Sequence, residues 1–411
     1  MGITAEDKTT LRELAQRLRD MAAEPVMEER RRRWYAHNAL ERGDPLVLAY
    51  PEGSWRELVP DAELACEGEP ARSWERSLRR RIFQHDFIDD DSVVEPDFIC
   101  MPRFTMDVYG VEVIYERHGE LGAYTWKAPI SDLSDGIGML RQRAVHIDEE
   151  GTRGDLALAG DYFGDILEIR PGGISTYWTF GLTQEAIKLI GLEQLMLAPY
   201  DSPEQLHALM SFLRDEHLAK LERFEREGLL RDNNLNGYTG SGGVAYTREL
   251  PAPGRSPGAQ VRAVDLWGFA ESQETIGWSP AMFHEFVFPY QLPLLGRFGL
   301  NCYGCCEPVD TRLDDILSIP RLRRVSVSPW AKQEPCAEAF GRSIIFSRKP
   351  NPALVCAGFD EESVRADLAA TVRIARDCNL EIIMKDTHTF EGDRSRPGRW
   401  VRLAREAVAS A

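Results

Sequence analysis

Short β-branched runs alternate with amphipathic helical segments through the last third of the chain, and this alternation constrains the fold most strongly. The pattern predicts strands at 324–327, 343–346 and 381–384. It predicts helices at 331–340 and after Asp360, where Glu361 and Glu362 suit the first turn of a helix. Alternating strands and helices predict a parallel sheet covered by helices.

The upstream part of the chain repeats this pattern with interruptions that we interpret as insertions. It predicts a hairpin at 107–126, a long helix opened by a capping box at Ser202, a strand and its loop at 229–238, and a strand at 263–267. A closed barrel is favoured over an open doubly wound sheet, because no Gly-x-Gly-x-x-Gly turn follows an early strand. The length alone fits either one large barrel or two ordinary domains. Since there is no long linker, we predict a single α/β domain over 1–411, a (β/α)8 TIM barrel with insertions and a largely helical amino-terminal extension at 1–90.

The chain is acidic, with a formal net charge of −17. Such a charge repels nucleic acid and anionic membranes, so we expect neither as a partner. The amino-terminal segment is charged and helix-like, and no segment has the roughly 18 apolar residues that a membrane span needs. We therefore expect a cytoplasmic protein, whose eight cysteines are free thiols or metal ligands rather than disulfides.

Three of these cysteines lie close together in the segment 301–308, NCYGCCEP, at the predicted end of a strand. Thiolates and a carboxylate suit zinc, although small cysteines also fill tight cores, and the spacing leaves both interpretations open. His388 follows the predicted strand 381–384, and loops after the strands of a barrel converge on one face. Alternation along an extended segment favours one of the two adjacent cysteines as a ligand. The candidate zinc ligands are Cys305, Cys306, Glu307 and His388.

Several segments resemble uroporphyrinogen-decarboxylase-like proteins related to corrinoid-dependent demethylating methyltransferases. The resemblance lies in 303–308 (YGCCEP), 324–330 (RVSVSPW), 346–352 (FSRKPNP) and 384–389 (MKDTHT), with 33–38 (RWYAHN) near the start. In that group, zinc is held by a His-x-Cys pair and a distant cysteine. This sequence departs from the pattern, because Tyr303 stands at the histidine position and His388 stands close to the position of the distant cysteine.

The resemblance implies a barrel, zinc, and transfer of a methyl group from a small methylated substrate, an ether, amine or thioether. The acceptor would be the cobalt of a corrinoid protein or cobalamin; transfer from that cobalt to a thiol or folate is the reverse possibility. It also implies a homodimer. Zinc would act as a Lewis acid on the leaving heteroatom, and an acid could assist. The candidate catalytic residues are Glu307, Asp386 and Glu271, although Glu271 also suits the start of a helix.

Aromatic, amide and lysine side chains near predicted strand ends are candidates for the substrate pocket. The candidate substrate-binding residues are Tyr162, Tyr177, Trp178, Asn234, Asn236, Tyr238, Trp267 and Lys385. Arg348 and Lys349 also follow a strand and could bind a carboxylate or phosphate, although solvation is the default for such residues.

Two other functions are compatible with the sequence. A metal-free decarboxylase of a porphyrinogen or other polyacid would need arginines for the carboxylates, but the family's Arg-Gln-Ala-Gly-Arg-Tyr segment is missing near the start. A non-catalytic accessory protein that binds metal or corrinoid would bind without methyl transfer.

Overall fold

The computed structural model describes residues 4–118, 123–173, 181–256 and 258–410. The first part of the chain is mostly helical. Its helices and strands are α1 (Ala5–Ala22), α2 (Pro25–Asn38), β1 (Leu46–Ala49), α3 (Trp55–Leu58), α4 (Ala71–Phe83), β2 (Asp97–Cys100), β3 (Arg103–Met106), β4 (Ile114–His118), β5 (Ala123–Lys127), α5 (Leu133–Gly136), β6 (Val145–Asp148), α6 (Glu149–Phe163), β7 (Glu168–Pro171), α7 (Leu182–Ile190), α8 (Leu192–Asp201) and α9 (Pro203–Arg226). Thr4 and Asp7 form a capping box that starts α1, whose buried face carries Leu11, Ala15 and Leu18. The antiparallel pair β4–β5 forms a hairpin within the insertion predicted at 107–126.

The second part alternates strands with helices, as predicted. Its elements are β8 (Tyr238–Thr239), β9 (Gly243–Val244), β10 (Trp267–Ala270), α10 (Pro280–Phe286), α11 (Phe288–Leu295), β11 (Leu300–Tyr303), α12 (Leu313–Leu317), β12 (Leu322–Val327), α13 (Gln333–Phe340), β13 (Ile345–Arg348), α14 (Ala353–Cys356), α15 (Glu361–Ile374), β14 (Asn379–Met384) and α16 (Arg396–Ala409). Asp360 caps α15 by accepting hydrogen bonds from the backbone N–H groups of Glu362 and Ser363. No helix in the described ranges is long and apolar enough to cross a membrane.

The central sheet has six parallel strands in the order β1-β14-β13-β12-β11-β10. This confirms the predicted α/β fold with a parallel sheet. Val47 of β1 lies opposite Ile382 of β14, so the edge strand comes from the amino-terminal segment. The stretch predicted as a helical extension therefore contributes a strand to the sheet.

At both edges of this sheet, side chains form hydrogen bonds to the edge strands, joined on the β1 side by one backbone bond from Asp91 N to Val47 O at 2.9 Å. On one side, Asp91 accepts a hydrogen bond from Val47 N at 2.7 Å, and Asp90 accepts one from Ala49 N at 2.9 Å. On the other, Asn233 accepts from Trp267 N at 2.9 Å and donates to Trp267 O at 3.2 Å. The strands β2 and β7 pair in parallel as a separate two-stranded sheet. Because the backbone ladder is interrupted in the described ranges, a closed eight-stranded barrel stays a prediction.

Two boundaries and one helix cap differ from the sequence predictions. Residues 229–237, all of them described, form no strand, because the Asn233 side chain, rather than the backbone, bonds to β10. Residues 263–265 form a turn in which Asp265 accepts from Arg262 N at 3.0 Å, so the following strand starts at Trp267. The helix α9 starts after Ser202 as predicted, but the Ser202 side chain makes no capping hydrogen bond. Pro203 at the first helical position suits this start without one.

The two faces of the central sheet differ in polarity. Alternate strand residues such as Val325, Phe346 and Ile382 belong to the main apolar core, with the helices. On the other face, Arg324 and Glu381 form an ion pair at 2.8 Å in which both side chains are buried. The short hairpin β8–β9 packs against this polar face.

The hairpin fits there because its tip is rich in glycine. A Cβ atom on Gly240 would lie 2.8 Å from Cβ of Cys302, and one on Gly243 would lie 2.4 Å from Cζ of Arg324. Gly240 and Gly242 also have φ of +59° and +114°, which favour glycine. The glycine run therefore brings Ser241 close to the sheet.

Candidate active site

Side chains that follow neighbouring strands converge near the hairpin tip. Cys305 lies shortly after β11, Lys349 directly after β13, and Lys385 directly after β14. Because the strands are parallel, their carboxyl ends lie at the same edge of the sheet, where α/β proteins commonly bind ligands. This edge is the candidate active site.

Cys305 and Cys306 form a close thiol pair, with 3.7 Å between their Sγ atoms. Cys305 is buried and Cys306 is partly exposed. Gly304, at φ +88°, makes the turn that places them. The hydrogen bond with Cys306, together with burial, raises the pKa of the Cys305 thiol, so Cys305 is neutral in this arrangement.

Ser241 links this thiol pair to Lys385. Its hydroxyl donates to Sγ of Cys305 at 3.5 Å and accepts from Nζ of Lys385 at 3.1 Å. Burial disfavours the Lys385 ammonium, but the surrounding groups Tyr238, Cys305 and Asp386 raise its pKa. Lys385 therefore supplies a fixed positive charge beside the thiols.

Lys349 is a second buried amine at this edge. Its Nζ donates to the backbone oxygen of Ser347 at 3.2 Å and to the Ser347 hydroxyl at 2.5 Å. Burial lowers the pKa of Lys349 to about 7, although Glu381 opposes the shift. At neutral pH this amine can therefore either accept or donate a proton.

Glu307 holds the cysteine loop in place. One carboxylate oxygen accepts from Ser272 N and the other accepts from Cys305 N, both at 2.8 Å. Burial raises its pKa, while these backbone hydrogen bonds oppose the shift. Because both of its oxygens accept from backbone N–H groups, Glu307 fixes the position of the cysteine loop relative to the loop after β10.

Glu271 lies directly after β10 and is buried. Its Oε2 accepts from Gln273 N at 2.9 Å, whereas its buried Oε1 has no hydrogen-bond partner among the described residues. Burial and the nearby carboxylates Glu274 and Glu307 raise the pKa of Glu271. These influences favour the protonated carboxyl group, which can act as a general acid.

Asp386 and His388 lie on the loop after β14, toward α3. The Asp386 backbone N–H donates to Glu52 at 2.7 Å, and Arg56 donates to the backbone oxygen of His388 at 2.7 Å. The His388 side chain is exposed. The loop is thus attached to the amino-terminal segment.

The predicted zinc ligands do not fit a zinc site in this arrangement. Among the described residues, no three or more His, Cys, Asp or Glu side chains are grouped so as to hold a metal ion. Glu307 has both oxygens bound, and zinc requires four donors around one centre. The two adjacent thiols alone supply too few donors, so zinc remains a prediction from the sequence.

A cavity of about 370 Å³ lies beside the hairpin. Three of the predicted substrate-binding residues line it, namely Asn236, Tyr238 and Trp267. Thr239 and Gly240 also line it, so the cavity reaches the residue before Ser241. Its size and mixture of aromatic and amide groups suit a small organic substrate.

Other predicted substrate-binding residues lie elsewhere. Asn234 is not among the cavity residues and donates to Leu250 O at 2.6 Å. Tyr162, on α6, packs against Trp74 at a ring-centroid distance of 6.0 Å, beneath α1. Tyr177 and Trp178 lie outside the described residues. Arg348 is buried and donates to Ser328 O at 2.7 Å, so it anchors the fold and is not solvated.

Ser241, Ser347 and Glu381 were not among the residues singled out from the sequence. The run GSGG at 240–243 was the available signal for Ser241, because clustered glycines permit a close approach of backbone to sheet. Glu381 lies inside a predicted strand, and a charged residue on a buried strand needs a partner.

No family model and no curated protein sequence matches this chain. Among solved structures, the chain is similar to a methyltransferase from Methanosarcina mazei, with a TM-score of 0.52 and 10% sequence identity. The match covers 93% of this chain and 98% of that chain. At this identity the similarity is one of overall fold, and it extends over nearly the full length of both chains.

Proposed function

We propose that this chain is a methyltransferase whose reaction takes place at the carboxyl ends of the parallel strands. The observation that carries the proposal is Glu271, a buried acid whose Oε1 has no hydrogen-bond partner among the described residues, on the same edge as the Lys385 ammonium. The full-length similarity in fold to a protein named a methyltransferase supports this reaction class. The cavity beside Tyr238 and Trp267 is the proposed binding site for a small methylated substrate, an O-methyl ether or an amine.

Removing a methyl group from an ether leaves negative charge on the oxygen, and that charge opposes the reaction. The proposed step breaks the O–CH3 bond as the methyl carbon bonds to the acceptor, while the Glu271 proton passes from Oε1 to the leaving oxygen. The Lys385 ammonium stabilises the same developing charge. The acceptor that we propose is the cobalt of a corrinoid protein or of cobalamin.

A direct assay tests this proposal. The purified chain is incubated with methylated phenols and amines and with cob(I)alamin, and methylcobalamin formation is followed by its absorbance. We expect transfer from at least one donor, and a kcat about 100-fold lower in Glu271→Gln, which cannot donate this proton. Glu338→Gln is the control, because Glu338 is an exposed residue of α13. A wild-type rate in Glu271→Gln would remove Glu271 from the mechanism, and no transfer from any donor would reject the function.

Metal content decides the zinc prediction separately. About one zinc per wild-type chain, lost in both Cys306→Ala and His388→Ala, would mean that both side chains bind the metal and approach each other when it binds. Full methyl transfer by metal-free protein would exclude zinc from the proposed mechanism. Glu271 as the acid and the Lys385 ammonium would then act without it.

A decarboxylase is the second candidate, and the two buried amines favour it. Lys349 and Lys385 lie after neighbouring strands, where two cations could hold a carboxylate. Release of CO2 from a porphyrinogen or other polyacid, without added metal, would support this function over methyl transfer.

A further inference from the structure

A line of hydrogen-bonded, buried groups runs from Lys349 into the polar interior of the fold. The Lys349 ammonium donates to the Ser347 hydroxyl at 2.5 Å, and that hydroxyl donates to Oε1 of Glu381. Glu381 and Ser347 are fully buried, and Lys349 is 2% exposed. The three residues lie on the adjacent strands β13 and β14 or directly after them.

Glu381 is held as a carboxylate by two further partners. Arg324 contacts its Oε1 at 2.8 Å through Nε, and His37 contacts its Oε2 at 3.1 Å. Burial opposes ionisation, but Arg324, His37 and Lys349 together lower the pKa of Glu381. The carboxylate is therefore a fixed negative charge, one hydroxyl group away from the Lys349 ammonium.

The charged groups around Lys349 have opposing effects. Glu381 favours its protonated form, whereas Lys385 and Arg324 oppose it, and the Cys305 thiol lies nearby. Burial is the largest influence and favours the neutral amine. Small changes in its hydrogen bonds therefore shift the balance between amine and ammonium.

We propose that Lys349 is the proton-exchanging group of this site, with Ser347 and Glu381 as the positioning residues that set its proton affinity. This rests on the proposed function, in which protons enter and leave the site during each turnover. After the reaction the Lys349 ammonium returns a proton to the Glu271 carboxylate, and the neutral amine takes its next proton on Nζ from solvent water, so that no other co-reactant is needed. The Ser347 hydroxyl stabilises the ammonium by accepting its hydrogen bond, and Glu381 orients that hydroxyl.

The proton affinity of Lys349 can be measured without any activity assay. In protein labelled with 13C at the lysine Cε position, the signal missing from Lys349→Met identifies Lys349, and its shift is followed against pH. We expect a midpoint near 7 in the wild type. In Ser347→Ala it should fall by about one pH unit, because the ammonium loses its hydroxyl acceptor. Ser326→Ala is the matched control, since its hydroxyl, on the adjacent strand, donates to Cys305 O instead.

A wild-type midpoint near 10, or equal midpoints in the wild type and Ser347→Ala, would overturn the assignment. The pH dependence of kcat gives the second readout, one that a purely structural role would leave unmoved. We expect its midpoint to move down with that of Lys349 in Ser347→Ala. A kcat profile that stays fixed while the Lys349 midpoint moves would overturn the role in catalysis. If the wild type transfers no methyl group but the midpoints behave as expected, the proposed function fails and the positioning of Lys349 by Ser347 is supported.

Discussion

At the scale of single residues, Glu307 connects the cysteine loop to the loop after β10 by two backbone hydrogen bonds. In Glu307→Gln an amide N–H2 group would face one of the two backbone N–H donors, so a buried donor would lose its acceptor. We expect the free energy of unfolding to fall by about 1–3 kcal/mol. Urea unfolding measures this, with the exposed Glu338→Gln as a control that should change little. An unchanged unfolding free energy in Glu307→Gln would show that water satisfies the donor.

Lys349 also gives the stability of the protein a defined pH dependence. Its folded-state pKa of about 7 lies below its ordinary value of 10.5. Between these values the unfolded chain binds more protons than the folded chain, so stability rises as the pH rises through this window. In Lys349→Met this contribution disappears, so the stability of the wild type relative to the variant should rise from pH 7 to pH 10. Urea unfolding at several pH values measures it, and a constant difference would contradict the lowered pKa.

The sequence indicated several residues of the site because each directly follows a predicted strand. Position after a predicted strand was sufficient to identify Cys305 and Lys385, which the structure brings together through Ser241. It did not predict Ser241 itself, since that contact depends on where the hairpin packs. Glu307 was predicted as a ligand or acid, but which donors its oxygens meet depends on a loop distant in sequence.

At the scale of elements, the hairpin β8–β9 depends on glycine. In Gly243→Ala the new methyl group would overlap the Arg324 guanidinium, which cannot move freely because Glu381 holds it. We expect a loss of about 1–3 kcal/mol in the free energy of unfolding. Gly43→Ala is the control, because a Cβ there meets no atom within 4 Å. Equal thermal midpoints for the two variants would show that the hairpin does not pack as described.

Helices and strands of the last third were predicted well because each has an amphipathic or β-branched pattern of its own. The strand predicted within 229–238, ahead of its loop, was wrong for a physical reason. Leu229 and Leu230 are buried in the main core, but Asn233 meets β10 through its side chain. An apolar run in the sequence indicates that its residues are buried. It does not show whether the segment bonds to the neighbouring strand through its backbone or through a side chain, as Asn233 does.

At the scale of the whole molecule, α16 connects the carboxyl-terminal part of the chain to the strand β1 of its amino-terminal part. The helix packs on α15 and on β1, and it buries Trp400 and Val401. Removing residues 396–411 would uncover this apolar surface, so we expect an insoluble or unfolded chain. Removing only 410–411 is the control. A soluble truncated chain with wild-type circular dichroism would contradict this role of α16.

The fold class was predictable from the sequence because alternating elements leave few architectures open. Closure of the sheet into a barrel stays a prediction, and the side-chain hydrogen bonds of Asp90, Asp91 and Asn233 at its two edges were not predicted. Nothing in the local pattern distinguishes these residues from ordinary loop residues.

The pairing of β1 with β14 has a consequence during synthesis. Leu46 lies beside Glu381, so the first strand leaves the ribosome long before its neighbour has been translated. At typical elongation rates of roughly 5–20 residues per second, that wait lasts on the order of 20 to 60 seconds. During this time the edge of β1 that will bond to β14 is open to other chains. The nascent protein therefore exposes this strand edge until residues 379–384 have been translated.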